Sequence, residues 1–255
     1  MRVTYAAAES IPNHMKRHLL LLSNSRNPGE EGFVWASAKI KPFLGDAPQH
    51  IAFVPFAGVT LTWDAYTDWI RGIFEAFGHR VTSVHAVENP RELVQQVDAI
   101  FVGGGNTFHL VYHLYATGLM EVIRAEAMNG KRYMGWSAGG NITAPTLATT
   151  NDMPIIQPPS FDTLGLVPFQ INPHYHNLQY PNHMGETRDD RLLEFIEVNP
   201  DRYVAGLPEG CLLHVQDDDL ALFGPKALRV FRKGEPHRDL TCADDLRFLL
   251  ENPNG

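Results

Sequence analysis

The 255-residue chain has little cysteine: Cys211 and Cys242 are its only two, and each stands alone. They build neither a disulfide framework nor a CxxC metal knuckle. That suits a reducing compartment, and the expected location is cytoplasmic. Long hydrophobic runs are also missing. The longest, such as residues 19–22, are strand-sized, far below the ~18 apolar residues of a membrane-spanning helix, so no membrane partner is expected. Residues 1–14 lack the charged start and long apolar centre of a secretory signal. They are read as an N-terminal extension or cloning remnant, and residues 15–255 as a single domain. Basic residues are outnumbered, with 21 Lys and Arg against 29 Asp and Glu and a net charge of −8. Binding phosphate backbones takes a clustered Lys/Arg surface, so nucleic acid is not an expected partner.

What the chain does have is a hydrophobic content of 44 %, ample for a packed core. Apolar runs at residues 18–23 (HLLLLS), 51–55 (IAFVP), 81–87 (VTSVHAV), 99–102 (AIFV) and 133–136 (YMGW) read as buried strands. Continuous runs of this length suit a parallel sheet covered on both faces. Between them lie amphipathic stretches. Trp63, Tyr66, Ile70, Ile73, Phe74 and Phe77 fall on one helical face, and Phe108, Val111, Leu114, Val122 and Ile123 mark another helix that Gly118 can interrupt. Strand–helix alternation predicts an α/β three-layer sandwich around a mostly parallel, doubly wound sheet, with its site at the carboxyl ends of the strands. Further on, the sequence predicts a helix over 187–198, a short strand at 204–207, a hairpin of 211–215 with 220–223, and a last strand at 228–231. Asp217-Asp218-Asp219 reads as the hairpin tip, because the spaced loop of a calcium site is absent.

Two strands end in glycine-rich sequence. Gly135-Trp136-Ser137-Ala138-Gly139 matches G-x-S-x-G between an apolar strand and residues able to open a helix. A sharp strand-to-helix turn lifts a serine hydroxyl off the sheet edge, which makes Ser137 the candidate nucleophile. Gly103-Gly104-Gly105-Asn106 follows strand 99–102 in the same way. Its exposed N–H groups, with that of Ala138, form a candidate oxyanion hole at Gly105 and Ala138. A nucleotide-binding turn is the poorer reading, since both G-x-G-x-x-G and a P-loop lysine are missing.

A serine nucleophile needs a base and an acid to orient it. Of the twelve histidines, His174 is the strongest candidate base, because it follows strand-like residues 167–172 with Pro173 fixing the backbone. His109 and His113 lie one turn apart on a helix and carry no such signal. His174 and His176 have no carboxylate or cysteine at ligand spacing, so no metal is assigned.

At this point the chain resembles the peptidase E family, the α-aspartyl dipeptidases. The matching segments are LLLLSNS (19–25), FVPFAGVTLTWDAYT (53–67), VGGGNTF (102–108), GWSAGGN (135–141), TTNDMPI (149–155), QINPHY (170–175), GETRDDR (185–191) and GLPEG (206–210). They run in order over nearly the whole chain from residue 15. The resemblance implies a flavodoxin-like or class I glutamine amidotransferase-like fold, with Ser137 as nucleophile and His174 as base. Two acids compete for the third role. Glu209 of GLPEG is favoured as the one touching His174, with Asp152 of TTNDMPI as a further active-site acid. Gly140, Ala148 and Cys211 depart from the family pattern, which bears on substrate breadth more than on the chemistry.

The resemblance further implies small Asp-X peptides as substrates; the serine chemistry needs no cofactor, and a homodimer is the candidate assembly. An N-terminal aspartate needs fixed positive charge. Thr187-x-x-Asp190 reads as a capping box, putting Arg188 in a first helical turn, where a cation opposes the helix dipole. A residue that breaks a local rule is a functional candidate, and a guanidinium grips carboxylates with paired hydrogen bonds. Asn106 is the candidate for the substrate amine or backbone. The competing readings are an amidotransferase, which would carry cysteine where Ser137 stands, a hydrolase of β-aspartyl or cyanophycin-like peptides, and a non-catalytic protein binding acidic ligands.

Overall fold

The computed structural model describes residues 16–178 and 184–251. The expectation for residues 1–14 falls outside that range. The central sheet has seven strands in the order β3-β2-β4-β5-β1-β8-β9. These are β1 (His18–Leu22), β2 (His50–Val54), β3 (Arg80–Ser83), β4 (Ala99–Val102), β5 (Arg132–Trp136), β8 (Leu212–Gln216) and β9 (Asp219–Phe223). Strands β3, β2, β4, β5 and β1 pair in parallel, so their carboxyl ends share one edge. The hairpin β8–β9 adds to β1 antiparallel.

Alternation along each strand divides the core. Leu19, Leu21, Ala52, Val54, Ile100 and Val102 enter one apolar cluster, while Leu20, Leu22, Ile51, Phe53, Ala99 and Phe101 enter another. The period of two is invisible in the bare sequence because both faces are covered. One face takes α1 (Ser37–Leu44) and α2 (Trp63–Phe74), through Ile40, Phe43, Ile70 and Phe74. The other takes α3 (Pro90–Gln96), α4 (Thr107–Ala116) and α5 (Leu119–Met128). Gly118, left-handed at φ 65°, separates α4 from α5.

Several boundaries differ from the sequence reading. Residues 84–86 of the run 81–87 form a 3-10 turn, not strand. α1, with Pro42 inside it, and the seven-residue α3 are too short for their periodicity to register. A second sheet, in the order β11-β10-β7-β6, also went unseparated. It comprises β6 (Gln170–Tyr175), β7 (Val204–Pro208), β10 (Leu228–Phe231) and β11 (Arg238–Leu240). Its Ile171, Ala205 and Leu207 join the same cluster as α4 and α5. α7 (Arg188–Val198) lies against it, with Asp189 accepting from the Tyr175 hydroxyl at 2.6 Å and pairing with Arg229 at 3.0 Å.

Candidate active site

The turn after β5 is tight. A Cβ at Gly135 would collide with the Gly139 carbonyl, and one at Gly139 with the Val102 carbonyl, so both positions of G-x-S-x-G exclude side chains. Between them Ser137 sits at φ 51°, ψ −113°, a conformation that costs a non-glycine residue on the order of 1–3 kcal/mol. It is held there by Ser137 N–H to the Leu22 carbonyl (3.0 Å) and by Asn141 N–H to its own carbonyl (2.8 Å). The helix that follows, α6 (Ala138–Asn141), is a single turn, shorter than expected.

His174 does not follow a strand end. It lies inside β6, where the pairing with β7 shifts register between Pro173 and Tyr175. A bulge turns one residue out of the ladder and re-aims its side chain. His174 takes φ 53° there and faces Ser137. Its Nε2 stands 2.9 Å from Ser137 Oγ and its Nδ1 2.7 Å from Glu209 Oε1. Glu209 lies in the turn after β7. A carboxylate only accepts, so the neutral imidazole carries its proton on Nδ1 and leaves Nε2 to accept from the serine hydroxyl.

The sequence reading missed the groups that fix this arrangement. Ser23, fully buried at the end of β1, accepts from His174 N–H at 2.8 Å and donates to the Leu207 carbonyl at 2.9 Å. Asn24 Oδ1 accepts from Gly210 N–H at 2.8 Å, beside Glu209. Both residues stand in the segment LLLLSNS, but only the tertiary fold reveals their partners.

Of the two candidate acids, Glu209 meets His174, whereas Asp152 serves a different end of the site. Asp152 Oδ2 accepts from Thr107 N–H (2.8 Å), Thr107 Oγ1 (2.6 Å) and Thr150 Oγ1 (3.0 Å) at the start of α4. Negative charge is favourable at a helix N-terminus. Asn106, the N-cap of α4, accepts from His109 N–H with its Oδ1 (3.0 Å) and donates from Nδ2 to the Met153 carbonyl (2.9 Å). These bonds use one donor and one acceptor of the carboxamide, and Asn106 also lines the cleft of the site.

These groups open on a cleft of about 990 Å³, lined among others by Arg26, Tyr66, Gly104, Gly105, Ser137, Ala138, Asp152, His174 and Glu209. Among the described residues, Arg26 is the one lysine or arginine in that lining. It is exposed, and its guanidinium has no acidic partner among the described residues. Arg188 occupies the first position of α7, behind the Thr187–Asp190 capping box, and is not part of the lining. Among the described residues no group of three or more His, Cys, Asp or Glu is placed to hold a metal ion, and no helix is long and apolar enough to cross a membrane.

With the geometry in place, the chain can be set beside known proteins. The family model of peptidase family S51 matches residues 19–223. A Peptidase E from Nostoc sp. is 50 % identical over 237 residues, covering 93 % of this chain and 98 % of the relative. A Peptidase E from Shewanella amazonensis is 44 % identical over 212 residues, covering 82 % and 90 %. The crystal structure of a peptidase from an acI-B1 Actinobacterium superposes with a TM-score of 0.66 at 18 % identity, covering 91 % of this chain and 97 % of that one. At that identity the likeness bears on the fold alone.

Proposed function

Because the chain belongs to peptidase family S51, and is thus a serine dipeptidase, we propose that it hydrolyses dipeptides with N-terminal aspartate through an acyl-enzyme on Ser137. The observation that carries this reading is the unbroken relay Ser137 Oγ, His174 Nε2, His174 Nδ1, Glu209 Oε1, at 2.9 and 2.7 Å. Ser137 attacks the carbonyl carbon of the aspartyl residue while His174 takes its proton. Glu209 holds the imidazole in the competent tautomer and stabilises the imidazolium. The N–H groups of Gly105 and Ala138 receive the oxyanion, and His174 then protonates the leaving amine. Water repeats the sequence and releases aspartate.

A protein of net charge −8 must offset its own field to hold an anionic substrate. Among the described residues the Arg26 guanidinium has no acidic partner and lines the cleft, while Arg188 is not in that lining, so Arg26 is the favoured carboxylate grip. The test is a panel of Asp-Leu, β-Asp-Leu, Asn-Leu, Glu-Leu and Gly-Leu with wild type, Ser137→Ala, Arg26→Ala and Arg188→Ala. Wild type should prefer α-linked Asp-Leu, and Ser137→Ala should lose about 10³-fold or more in kcat. Arg26→Ala should cut the preference for Asp-Leu over Asn-Leu at least about tenfold. The same loss in Arg188→Ala alone would move the carboxylate subsite to α7, and turnover of Asp-Leu by Ser137→Ala would sink the acyl-enzyme reading.

A further inference from the structure

The loop from Gly103 to Thr107 carries one side of the cleft, and its backbone donors can be accounted for one by one. Gly103 N–H donates to the Val54 carbonyl (3.0 Å), Asn106 N–H to the Ala57 carbonyl (2.8 Å) and Thr107 N–H to Asp152 (2.8 Å). Among the described residues, that leaves the amides of Gly104 and Gly105. A Cβ built on Gly104 would stand 2.9 Å from Ser137 Cβ, so the Gly104–Gly105 peptide lies directly beside the nucleophile. The carbonyl of that peptide is not idle. Tyr66, buried on α2, donates its hydroxyl to the Gly104 oxygen at 3.1 Å and accepts from Trp136 Nε1 at 2.9 Å.

We propose that Tyr66 is a positioning residue for catalysis: by pinning the Gly104 carbonyl on one side of its peptide plane, it aims the Gly105 N–H from the other side at the oxyanion. The inference deepens the proposed function and rests on it. The geometry follows from the trans peptide, whose C=O and N–H point in opposite directions. The direction of the hydrogen bond is also fixed. An indole N–H can only donate, so the Tyr66 oxygen accepts from Trp136 and its single proton goes to Gly104. Burial raises the phenol above its ordinary range, so that proton stays in place. The pin is needed because this peptide joins two glycines, and Gly105 sits at φ 137°, where no Cβ restrains rotation. A flipped peptide would present a carbonyl oxygen to the oxyanion, replacing an attraction by a repulsion. The single proton of the hydroxyl is spent on the Gly104 carbonyl, so its effect is expected in the transition state and not in ground-state binding.

The test compares wild type and Tyr66→Phe on Asp-Leu, with Ser137→Ala as the reference for background hydrolysis. A correctly aimed oxyanion donor is worth on the order of 10²–10³ in rate. Tyr66→Phe should therefore lower kcat at least about tenfold with KM within about threefold of wild type. It should also weaken an aspartyl boronic acid by the same factor as kcat, and leave competitive inhibition by free aspartate unchanged. 3-Fluorotyrosine at position 66, which keeps the donor and the ring, should restore kcat. Unchanged kcat in Tyr66→Phe, or a loss confined to KM, overturns the inference. Should Tyr66→Phe fail to fold, wild type labelled with ¹⁵N-glycine answers instead: the Gly105 amide proton must move downfield on boronate binding, and a stationary resonance rejects the proposal. Failure of the underlying function would show separately, as wild type no faster than Ser137→Ala.

Discussion

At the scale of single residues, each catalytic candidate is held from behind by a group with no chemistry of its own. Ser137 hangs from Leu22, His174 from Ser23 and the Gly210 turn beside Glu209 from Asn24. The division of labour between the two acids is a residue-scale statement with a measurable outcome. Glu209→Gln keeps a hydrogen bond but can present its amide N–H to His174 Nδ1, selecting the wrong tautomer. Its kcat should fall by about 10²- to 10⁴-fold with little change in thermal stability. Asp152→Asn weakens three hydrogen bonds at the start of α4. It should lower the melting temperature and cost less in kcat than Glu209→Gln. Steady-state kinetics and calorimetry on both variants check the ordering, and the reverse ranking would exchange their roles. The choice between these acids was open in the sequence, because GLPEG and TTNDMPI each supply a carboxylate and spacing carries no distance.

Secondary-structure elements show a different kind of constraint along the seam where β8 joins β1. Apolar side chains surround that seam, yet two half-buried imidazoles meet in it. His18 stacks edgewise on Phe43 at 4.6 Å and lies 5.5 Å from His214. Burial, with His214 and Arg132 adding repulsion, pushes His18 down to about 4, and burial with Lys39 lowers His214. The unfolded chain protonates His18 below about pH 6.5 while the folded chain resists until about pH 4, and the lowering of His214 acts in the same direction. Stability is therefore fully present above pH 6.5 and declines as pH falls through that window. Urea midpoints at pH 7.5, 5.5 and 4.5 should show the decline, and His18→Phe should flatten it. An unaltered slope in that variant would exclude His18 as the source. The run HLLLLS was legible as a buried strand and 211–215 as half of a hairpin, but their pairing was not, since antiparallel addition of a hairpin leaves no mark on β1 itself.

Across the whole molecule, the site is a junction between two sheets. The nucleophile and the glycine loop belong to the seven-stranded sheet, the base and its acid to the four-stranded one. Ser23 spans the junction, leaving β1 to meet both His174 and Leu207. Ser23→Ala would strand a half-buried N–H and a buried carbonyl, the latter at about 1–3 kcal/mol. The expected result is a lower denaturation midpoint together with a kcat reduced at least tenfold, because the His174 bulge loses its tether. A variant destabilised but fully active would show that the bulge holds itself. The sequence by itself determined the strand–helix alternation, the glycine-bounded serine turn and the presence of a histidine and two acids, because these depend on residue type and local spacing. Only the tertiary structure decided which acid meets the histidine, that the histidine emerges from a bulge, and that Arg26 rather than Arg188 lines the cleft. Those facts are set by contacts between segments far apart in the chain, whose registers no local pattern records.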